Sequence, residues 1–583
     1  MCGIGAVIAR DHAALGGYDL AGMGAALSTR GPDGGDVWVG DGVGLVHRRL
    51  SIIDLAGGRQ PMRSASGVTI TFNGEIYNYR EIHAEIDDYP YQTSSDTEAI
   101  LAVYERYGVP GIRRLRGMYA FVLHDPTTGR TIAARDSFGI KPLVWRRTEN
   151  AVLVASESKA LDRAMGIARR PSADHLGELI DRHFVGAPRT AVHDTHKVAP
   201  GEVVELTAHG QRTLDRLTPV RTPASAARSD PADLASVLDD TTRMHVRSDV
   251  PVGLFLSGGI DSACLLHLMR RAGLQSPQTY TVTFPGGPGA ADARIAERLA
   301  ADYGCRHRTI PFEERDFWRV LPQLAVYLDD PTTDYALLPT WRLAEAASED
   351  VKVVLSGEGG DEMFAGYGRY RRRIKQTIRS LRKRLRPDRD SARVLAQPGA
   401  LPDLRGPETV MPETRDLSWL QRRQAHDIAG WLPDDLLKKL DICLMAHGLE
   451  GRVPFTDSEV ADYALHLPDA AKIRGKSGKF LVKRWLAEQV PAAEPFRRKQ
   501  GFTVPVADWL TPHAKTLADL LPRQPVVLDH MDADSVRAVM AAPEKNGLLA
   551  YALVLIAIWW QGDAAAGMSD REQLFDALSG WAR

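Results

Sequence analysis

Phe255-Leu256-Ser257-Gly258-Gly259-Ile260-Asp261-Ser262 is the stretch that decides the fold of the larger half of this 583-residue chain. It ends an apolar run at 250–256 and precedes a helical pattern at 263–271, so it marks a strand-to-helix junction. Two glycines and two hydroxyl residues at such a junction let backbone N–H groups and the helix N-terminus face phosphate groups. The loop lacks the lysine of a Walker A motif, so it does not indicate γ-phosphoryl transfer. On its own, the loop fits an ordinary glycine-rich turn equally well.

A second stretch, Leu355-Ser356-Gly357-Glu358-Gly359-Gly360-Asp361-Glu362, follows another apolar run at 351–355. Between the two stretches, predicted strands such as 279–284 alternate with helices such as 291–303. This alternation predicts a parallel sheet with helices on both faces. Because ligands collect at the carboxyl ends of parallel strands, we expect both stretches to face one crevice. From about residue 430 onward the pattern is mostly helical.

Asp261 and Asp361 are candidate metal ligands in that crevice. A carboxylate inside a phosphate-binding loop repels the phosphate unless it holds a cation such as Mg²⁺. Asp361 can join Asp261 on the same ion, because both follow strands of the same predicted sheet.

The first 205 residues or so read differently, as short strands punctuated by turns. Met118–His124 and Arg130–Arg135 flank a turn-forming segment, which predicts a hairpin. The clearest helix is Thr97–Tyr107, with Asp96 predicted as its N-cap. This half is therefore predicted to be α+β, with mainly antiparallel pairing.

Cys2 is the candidate nucleophile of the N-terminal half. Removal of Met1 would place a thiol and a free α-amine on one residue, and the amine, with an ordinary pKa near ~8, can act as the base for the thiol. At a strand end, the Asn73 amide and the Gly74 N–H would form an oxyanion hole. Considered alone, Cys2 would be interpreted as an incidental buried cysteine, and Asn73-Gly74 would be interpreted as a tight turn.

Charged residues near these groups suit an amino-acid substrate. Arg49 lies beside an apolar strand and can hold a carboxylate through two hydrogen bonds. Glu75 and Asp96 supply carboxylates for an α-ammonium group.

Together these motifs resemble the class II glutamine amidotransferase domain over most of residues 2–160. The resemblance implies an N-terminal-nucleophile fold, an αββα sandwich of two antiparallel sheets between helices. It also implies Cys2 as the nucleophile and Asn73 with Gly74 as the oxyanion hole. The implied glutamine-binding residues are Arg49, Ile53, Asn73, Gly74, Glu75 and Asp96. The motifs that carry the resemblance are Cys2-Gly3-Ile4, Arg30-Gly31-Pro32-Asp33, Arg49–Asp54, Asn73-Gly74-Glu75, Ser95-Asp96 and Ala134–Pro142.

The two glycine-rich stretches resemble the ATP-pyrophosphatase domain of asparagine synthetases. The likeness includes Asp330-Pro331, Gly366-Tyr367, Glu450–Phe455 and Arg498–Phe502, and spans roughly residues 232–510. It implies a doubly wound α/β domain with a helical C-terminal part, in which ATP and Mg²⁺ convert aspartate to β-aspartyl-AMP and release pyrophosphate. Glu358 is then the base toward ammonia, and Lys499 neutralises charge at the α-phosphate. The implied ATP-binding residues are Phe255, Leu256, Ser257, Gly258, Gly259, Asp261, Ser262, Val282, Ser356 and Gly357, with Asp261 and Asp361 on the metal.

We therefore predict a glutaminase domain at 2–210, a linker rich in Pro, Ala, Ser and Arg at 211–231, and a synthetase domain at 232–583. The expected substrates are L-glutamine, L-aspartate and ATP. Ala263, Gly451 and Thr456 depart from the usual family residues. The departure at Gly451 and Thr456 leaves the acceptor acid open between aspartate and another acid of a natural-product pathway. A lactam synthetase or a non-enzymatic relic is disfavoured, because neither site has lost a residue.

Composition narrows the class of protein. A formal net charge of −1 gives no reason to expect nucleic acid or a membrane surface as partner. The 4 cysteines are too scattered for a disulfide framework or a zinc site. With no apolar run of membrane-spanning length and no signal-peptide pattern, we expect a cytoplasmic enzyme. A homodimer is left open, and the basic stretch Arg369–Arg389 is interpreted as a solvated helical face.

Overall fold

The strands of the N-terminal half form two six-stranded antiparallel sheets. This computed structural model describes residues 1–219, 231–287, 289–371, 393–395, 417–498 and 503–582. The strands are β1 Gly3–Ala9, β2 Gly34–Gly40, β3 Val43–Arg49, β4 Met62–Arg63, β5 Thr69–Ile76, β6 Gly117–Asp125, β7 Arg130–Arg135, β8 Val144–Arg147, β9 Ala151–Ala155, β10 His196–Lys197, β11 Glu202–Thr207 and β12 Gly210–Arg216. One sheet has the order β10-β8-β9-β1-β3-β2 and the other the order β12-β11-β7-β6-β5-β4.

Strand β1 shows why the two sheets stack. Side chains of a strand alternate between faces, so Ile4, Ala6 and Ile8 enter the core between the sheets. Val7 and Ala9 point the other way, into a second core beneath helices. Because both faces of β1 are covered, its sequence is apolar at almost every position.

Helices cover the outer faces of both sheets and complete the predicted αββα sandwich. Leu20–Ala26 and Ser158–Met165 pack over β1, β3 and β9 on one side. Asp96–Tyr107 packs over β5 on the other side. The helices of this half are His12–Leu15, Leu20–Ala26, Tyr79–Glu85, Asp96–Tyr107, Ser158–Met165 and Leu176–Arg182.

The helix that carries Asp96 begins one residue earlier than predicted, and its N-cap is Ser95. The Ser95 hydroxyl accepts the Thr97 N–H at 3.2 Å. The Asp96 carboxylate is turned away and accepts the backbone N–H of Ile76 at 2.9 Å. The prediction of Asp96 as the cap was therefore wrong. Its carboxylate lies at the end of β5 instead of capping the helix.

The C-terminal half contains the predicted parallel sheet. Its strands are β13 Val252–Phe255, β14 Gln278–Thr283, β15 Arg306–Pro311, β16 Val353–Leu355 and β17 Glu450–Arg452, in the order β15-β14-β13-β16-β17. The chain winds outward from β13 in one direction and then returns to place β16 on its other side. In a doubly wound sheet, ligands bind where this reversal occurs, which here is between β13 and β16.

Helices connect and follow these strands, as predicted. They are Pro231–His245, Ile260–Arg271, Ala290–Asp302, Glu314–Tyr327, Leu337–Ala347, Gly360–Met363, Trp419–His426, Lys438–Met445, Ser458–His466, Asp469–Lys472, Phe480–Gln489, Val506–Leu510, Ala514–Leu520, Pro525–His530, Ala533–Met540, Pro543–Trp560 and Arg571–Trp581, with a π-helix at Asp427–Leu437. None of the helices in the described residues combines the length and apolar character needed to span a bilayer.

The predicted domain boundaries remain predictions. Strand β12 pairs with β11 as far as Arg216, so the first residues of the predicted linker extend a sheet of the N-terminal half. Residues 220–230 of that linker lie outside the described part of the chain. Of the basic stretch 369–389, only its first three residues are described.

Candidate functional site

Cys2 lies immediately before β1, where three contacts fix its backbone and surroundings. Its N–H donates to Oδ1 of Asn73 at 2.9 Å, and its carbonyl accepts from Nε of Arg30 at 3.2 Å. Only 7% of Cys2 is exposed. Burial raises the pKa of the Cys2 thiol, so at neutral pH the thiol carries its proton and needs a base to act as a nucleophile.

Asn73 and Gly74 lie side by side in β5 rather than in a turn. Asn73 is fully buried, and its Nδ2 has no hydrogen-bond partner among the described residues. A Cβ on Gly74 would lie 2.0 Å from the carbonyl oxygen of Met118, so only glycine fits. A buried amide donor without a partner is costly unless a ligand supplies the acceptor.

The predicted glutamine-binding residues surround one pocket next to Cys2. Arg49, Ile53, Gly74, Glu75 and Asp96 all line it, and Asn73 borders it through its bond to Cys2. The Arg49 guanidinium is oriented by the carbonyl oxygens of Ile53 at 3.3 Å, Asp54 at 2.7 Å and Leu55 at 3.0 Å. The other lining residues are Met1, Leu50, Ile52, Gly58, Gln60, Phe72, Ser95, Thr97 and Glu450.

Two of the three carboxyl groups that line this pocket, those of Glu75 and Asp96, can bind a cation. Burial raises the pKa of Asp96 to about 6. Burial also raises the pKa of Glu75 well above its usual value, although Arg452 lowers it. Glu75 Oε2 lies 3.1 Å from Nη2 of Arg452, whereas its Oε1 is buried without a hydrogen-bond partner among the described residues. An ammonium group bound between them would stabilise both carboxylates.

Glu450 is a pocket residue that the sequence did not predict. It comes from β17, in the parallel sheet of the other half, and its Oε2 lies 3.2 Å from the N-terminal amine of Met1. A three-residue strand within a region of helical pattern gives no periodicity to detect. Only the resemblance of Glu450–Phe455 to a family motif marked this segment, without a role.

The second candidate site lies at the carboxyl end of β13, in the loop that contains Ser257. The Ser257 N–H donates to Oγ of Ser262 at 3.1 Å, and the Gly259 N–H donates to Oγ of Ser257 at 3.3 Å. Gly258 has a φ of +69°, and a Cβ there would meet the carbonyl oxygen of Asp292 at 2.0 Å. Local hydroxyls and glycines thus shape the loop, which leads into the helix Ile260–Arg271.

The other residues predicted to bind nucleotide lie on adjoining strands. Phe255 ends β13, and the Leu256 N–H donates to the carbonyl of Tyr280 in β14 at 2.9 Å. Val282 follows two residues later in β14 and is partly exposed. Ser356 and Gly357 directly follow β16.

The loops after β13 and β16 touch each other, as the two motifs predicted. A Cβ on Gly357 would lie 2.8 Å from Cβ of Asp261, and a Cβ on Gly360 would lie 2.5 Å from its Oδ1. The Asp261 side chain therefore occupies the crevice between the two strands at which the sheet order reverses.

Lys479 is the most informative residue that the sequence missed. Its Nζ lies 2.6 Å from both Oδ1 and Oδ2 of Asp261 and 2.8 Å from Oδ1 of Asp361. Its backbone has a φ of +52°, an uncommon conformation for a residue other than glycine. Its N–H donates to the carbonyl of Phe364 at 3.1 Å, which holds the residue beside the second loop. Lys499, the lysine predicted for this site, lies outside the described residues.

Asp261 and Asp361 form a carboxylate pair whose oxygens contact the Lys479 ammonium, and a metal ion shared with a phosphate-bearing ligand would use their remaining lone pairs. No group of three or more His, Cys, Asp or Glu side chains in the described residues is arranged to hold a metal by protein ligands alone. Magnesium commonly uses one or two carboxylates together with substrate phosphates, and this pair matches that pattern.

Glu358 lies on the second loop, beside a buried charge pair. Its Oε1 is 3.8 Å from Nζ of Lys439, which in turn lies 3.0 Å from Oδ2 of Asp334. Burial raises the pKa of Glu358, Lys439 lowers it, and the neighbouring Asp334, Asp361 and Asp261 raise it further. A carboxyl with a raised pKa is suited to accepting a proton near neutral pH.

Comparisons with known proteins agree with this layout of two sites. The family model of asparagine synthase matches residues 233–562, and the model of a glutamine amidotransferase domain matches residues 1–216. A Mycobacterium tuberculosis protein, provisionally named a glutamine-hydrolysing asparagine synthetase, is 35% identical over 88% of this chain and 88% of its own length. Glutamine-hydrolysing asparagine synthetase 1 of Bacillus subtilis is 32% identical over 84% of each chain. A solved glutamine phosphoribosylpyrophosphate amidotransferase of B. subtilis is 17% identical, with a TM-score of 0.28, over 62% of this chain and 77% of its own.

Gly74→Ala should destabilise the protein, because the new methyl group would meet the Met118 carbonyl at 2.0 Å. We expect a loss of about 1–3 kcal/mol in the free energy of unfolding, typical of overpacking, measured by urea denaturation. Gly210→Ala is the matched control: Gly210 has a similar φ of +149°, but a Cβ there meets nothing within 4 Å. Equal losses in the two variants would show that backbone conformation, and not the contact with Met118, requires glycine at position 74.

Proposed function

This chain belongs to the family of glutamine-hydrolysing asparagine synthetases, and from that premise we propose that it makes L-asparagine from L-aspartate. In the proposed reaction ATP, L-aspartate, L-glutamine and water give AMP, pyrophosphate, L-asparagine and L-glutamate. The pocket around Cys2 releases ammonia from glutamine, and the crevice between β13 and β16 activates aspartate as β-aspartyl-AMP.

Glutamine hydrolysis begins with attack of the Cys2 sulfur on the side-chain amide carbon. Since burial keeps the thiol protonated at neutral pH, a base must take its proton. The α-amine of Cys2, freed when Met1 is removed, serves as that base. The negative charge that develops on the amide oxygen is stabilised by Nδ2 of Asn73, which has no partner in the described residues, and by the Gly74 N–H.

The rest of the glutamine molecule is held by charge. Arg49, oriented by three carbonyl oxygens, binds the α-carboxylate. Glu75 and Asp96 bind the α-ammonium group, which lowers the raised pKa of each carboxyl toward its ordinary value. The protonated α-amine gives the thiol's proton to the amide nitrogen, the C–N bond breaks and ammonia leaves, and water then hydrolyses the thioester to glutamate and restores the thiol.

Activation of aspartate takes place at the two loops of the parallel sheet. The N–H groups at the start of the helix Ile260–Arg271 face the ATP phosphates, whereas the Ser257 and Gly259 N–H groups donate to hydroxyls within the loop. Asp261 and Asp361 would hold Mg²⁺, which neutralises charge on the phosphate oxygens when bound. The β-carboxylate of aspartate attacks the α-phosphorus, and pyrophosphate leaves.

Amide formation follows in the same crevice. Ammonia attacks the activated carbonyl carbon, Glu358 accepts the surplus proton, and AMP leaves. Lys479, buried between the carboxylates of the two loops, is placed to neutralise charge on the phosphate during both steps. Lys499 is the second lysine proposed for this role.

One observation carries the proposal: Asp261 and Asp361, from loops after two neighbouring parallel strands, converge on Lys479 in a chain that also holds a lined pocket at Cys2. The first arrangement supports nucleotide chemistry, and the second supports release of ammonia. The combination within one chain supports amide synthesis rather than either activity alone.

Cys2→Ala should abolish release of glutamate from glutamine, yet leave asparagine synthesis from added ammonium salts within about twofold of wild type, because Cys2 acts only in the first half-reaction. Glutamate and asparagine are measured by mass spectrometry. Cys305→Ala, which removes a free cysteine outside both sites, should leave both activities unchanged. Loss of ammonium-dependent synthesis in folded Cys2→Ala protein would contradict the division into two sites.

Lys479→Ala should slow pyrophosphate release with aspartate and ammonium by about 100-fold or more, since a preorganised charge typically contributes several kcal/mol. Glutamine hydrolysis should be unaffected. Lys476→Ala, an exposed lysine of the same loop, is the control. Lys499→Ala tested in parallel shows which lysine serves the reaction, and wild-type rates in Lys479→Ala would remove Lys479 from it.

The acceptor acid is tested by screening carboxylic acids for pyrophosphate release with ammonium present. A pocket built for aspartate leaves charged groups unpaired when succinate or β-alanine binds, since each lacks one α-substituent. We therefore expect kcat/KM for these analogues to be lower by at least about 100-fold. If aspartate gives no pyrophosphate while another acid does, the enzyme amidates that other acid.

A further inference from the structure

Arg452 is a buried arginine of the synthetase half that reaches into the glutamine pocket. Its side chain is fully buried, and its Nη2 lies 3.1 Å from Oε2 of Glu75. Its Nε donates to Oε1 of Glu450 at 2.6 Å, and Glu450 also lines that pocket. The synthetase half thus supplies Glu450, which lines the pocket, and Arg452, the cation that holds the pocket residue Glu75.

The remaining bonds of Arg452 are to the segment before β13 and to the loop after β16. Its Nη1 donates to the carbonyls of His245 at 2.7 Å and Arg247 at 2.6 Å, in the segment that leads into β13. Its own carbonyl accepts the Ser356 N–H at 2.9 Å, at the start of the loop that carries Glu358 and Asp361. One residue therefore contacts a carboxylate of the first site, the segment before β13 and the start of the loop after β16.

We propose that Arg452 is a positioning residue that couples the two sites, so that occupancy of the nucleotide crevice changes how Glu75 is presented to glutamine. This inference rests on the proposed function of the two pockets. Any movement of the loop after β16 on nucleotide binding is passed through the Ser356–Arg452 bond to the guanidinium, and from there to Glu75. Because binding linkage is reciprocal, glutamine must favour nucleotide binding by the same factor.

A merely structural role for Arg452 would have a different signature. A residue that only holds the domains together would, when altered, reduce every activity along with stability. A positioning residue should raise the KM for glutamine and remove the effect of nucleotide on that KM, while ammonium-dependent synthesis continues. The second pattern is expected because the bond from Ser356 uses the backbone of Arg452, which a side-chain substitution leaves in place.

The experiment measures glutamate release against glutamine concentration, with and without saturating ATP and aspartate. In the wild-type protein we expect the KM for glutamine to fall by about fivefold or more when both are present, the lower end of typical coupling. In Arg452→Lys, which keeps the charge but loses the forked geometry, we expect the KM to rise by about tenfold and to be the same with and without nucleotide. Synthesis from ammonium should stay within about threefold of wild type.

Arg116→Lys is the matched control. Arg116 also crosses between the halves, bonding Asp457 at 2.9 Å and Asp240 at 2.8 Å, but it lines neither pocket. It should keep the wild-type KM for glutamine and its dependence on nucleotide. If both variants behave alike, Arg452 is one of several interface residues and the inference fails.

Two further outcomes separate this inference from the proposed function. If the wild-type KM for glutamine does not change with ATP and aspartate, the proposed coupling is wrong. This measurement needs no variant, so it remains decisive even if Arg452→Lys folds poorly. A wild-type protein that makes no asparagine overturns the proposed function instead. Normal asparagine synthesis together with an unaltered KM in Arg452→Lys overturns only the role of Arg452.

Discussion

A single buried arginine, Arg30, ties the candidate nucleophile to both halves of the molecule. Its Nε holds the Cys2 carbonyl at 3.2 Å, and its Nη1 bonds Glu157 at 3.0 Å and Asp441 at 2.9 Å. Lys141 meets Asp441 from the N-terminal half as well, at 3.3 Å. Since a buried charge is tolerated only when it is paired and hydrogen-bonded, these groups have little freedom to move independently. The position of Cys2 therefore depends on how the synthetase half docks.

Other buried charges at the interface between the two halves are also paired. Lys197 of the N-terminal half lies between Asp330 at 3.1 Å and Asp434 at 2.9 Å, and Arg116 bonds Asp457. Between such pairs, apolar residues of the two halves belong to one continuous core. Removing one partner of a buried pair typically lowers the free energy of unfolding by about 3–5 kcal/mol, because the remaining charge is neither paired nor hydrated. The two candidate sites thus lie in halves that are packed against each other through a shared core and buried ion pairs.

What the sequence could predict was the part encoded locally. The loops after β13 and β16 each end an apolar run with glycines, and a parallel sheet brings such loops together, so the crevice followed from pattern and topology. Arg452 meets Glu75 across 377 residues of chain, and Lys479 meets Asp261 across 218. No periodicity or spacing encodes such contacts, since they arise only when the two halves fold against each other. The Ser95 cap was missed for a related reason: Asp96 is an equally good capping residue until the Ile76 N–H takes its carboxylate.

The carboxyls of this protein also show which physical feature marks a site. Although burial raises it, the pKa of Asp441 is held below its usual value by Arg30 and Lys141, so this group belongs to the structure. A raised pKa alone does not identify a site, because burial also raises the pKa of Asp136, whose oxygens accept the N–H groups of Phe138, Ile140 and Lys141. Glu75 differs because one of its oxygens, like the Nδ2 of Asn73, is buried with no hydrogen-bond partner among the described residues. Leaving such atoms unpaired is costly unless a ligand completes them, and both of these atoms lie around the pocket beside Cys2, where a ligand can bind.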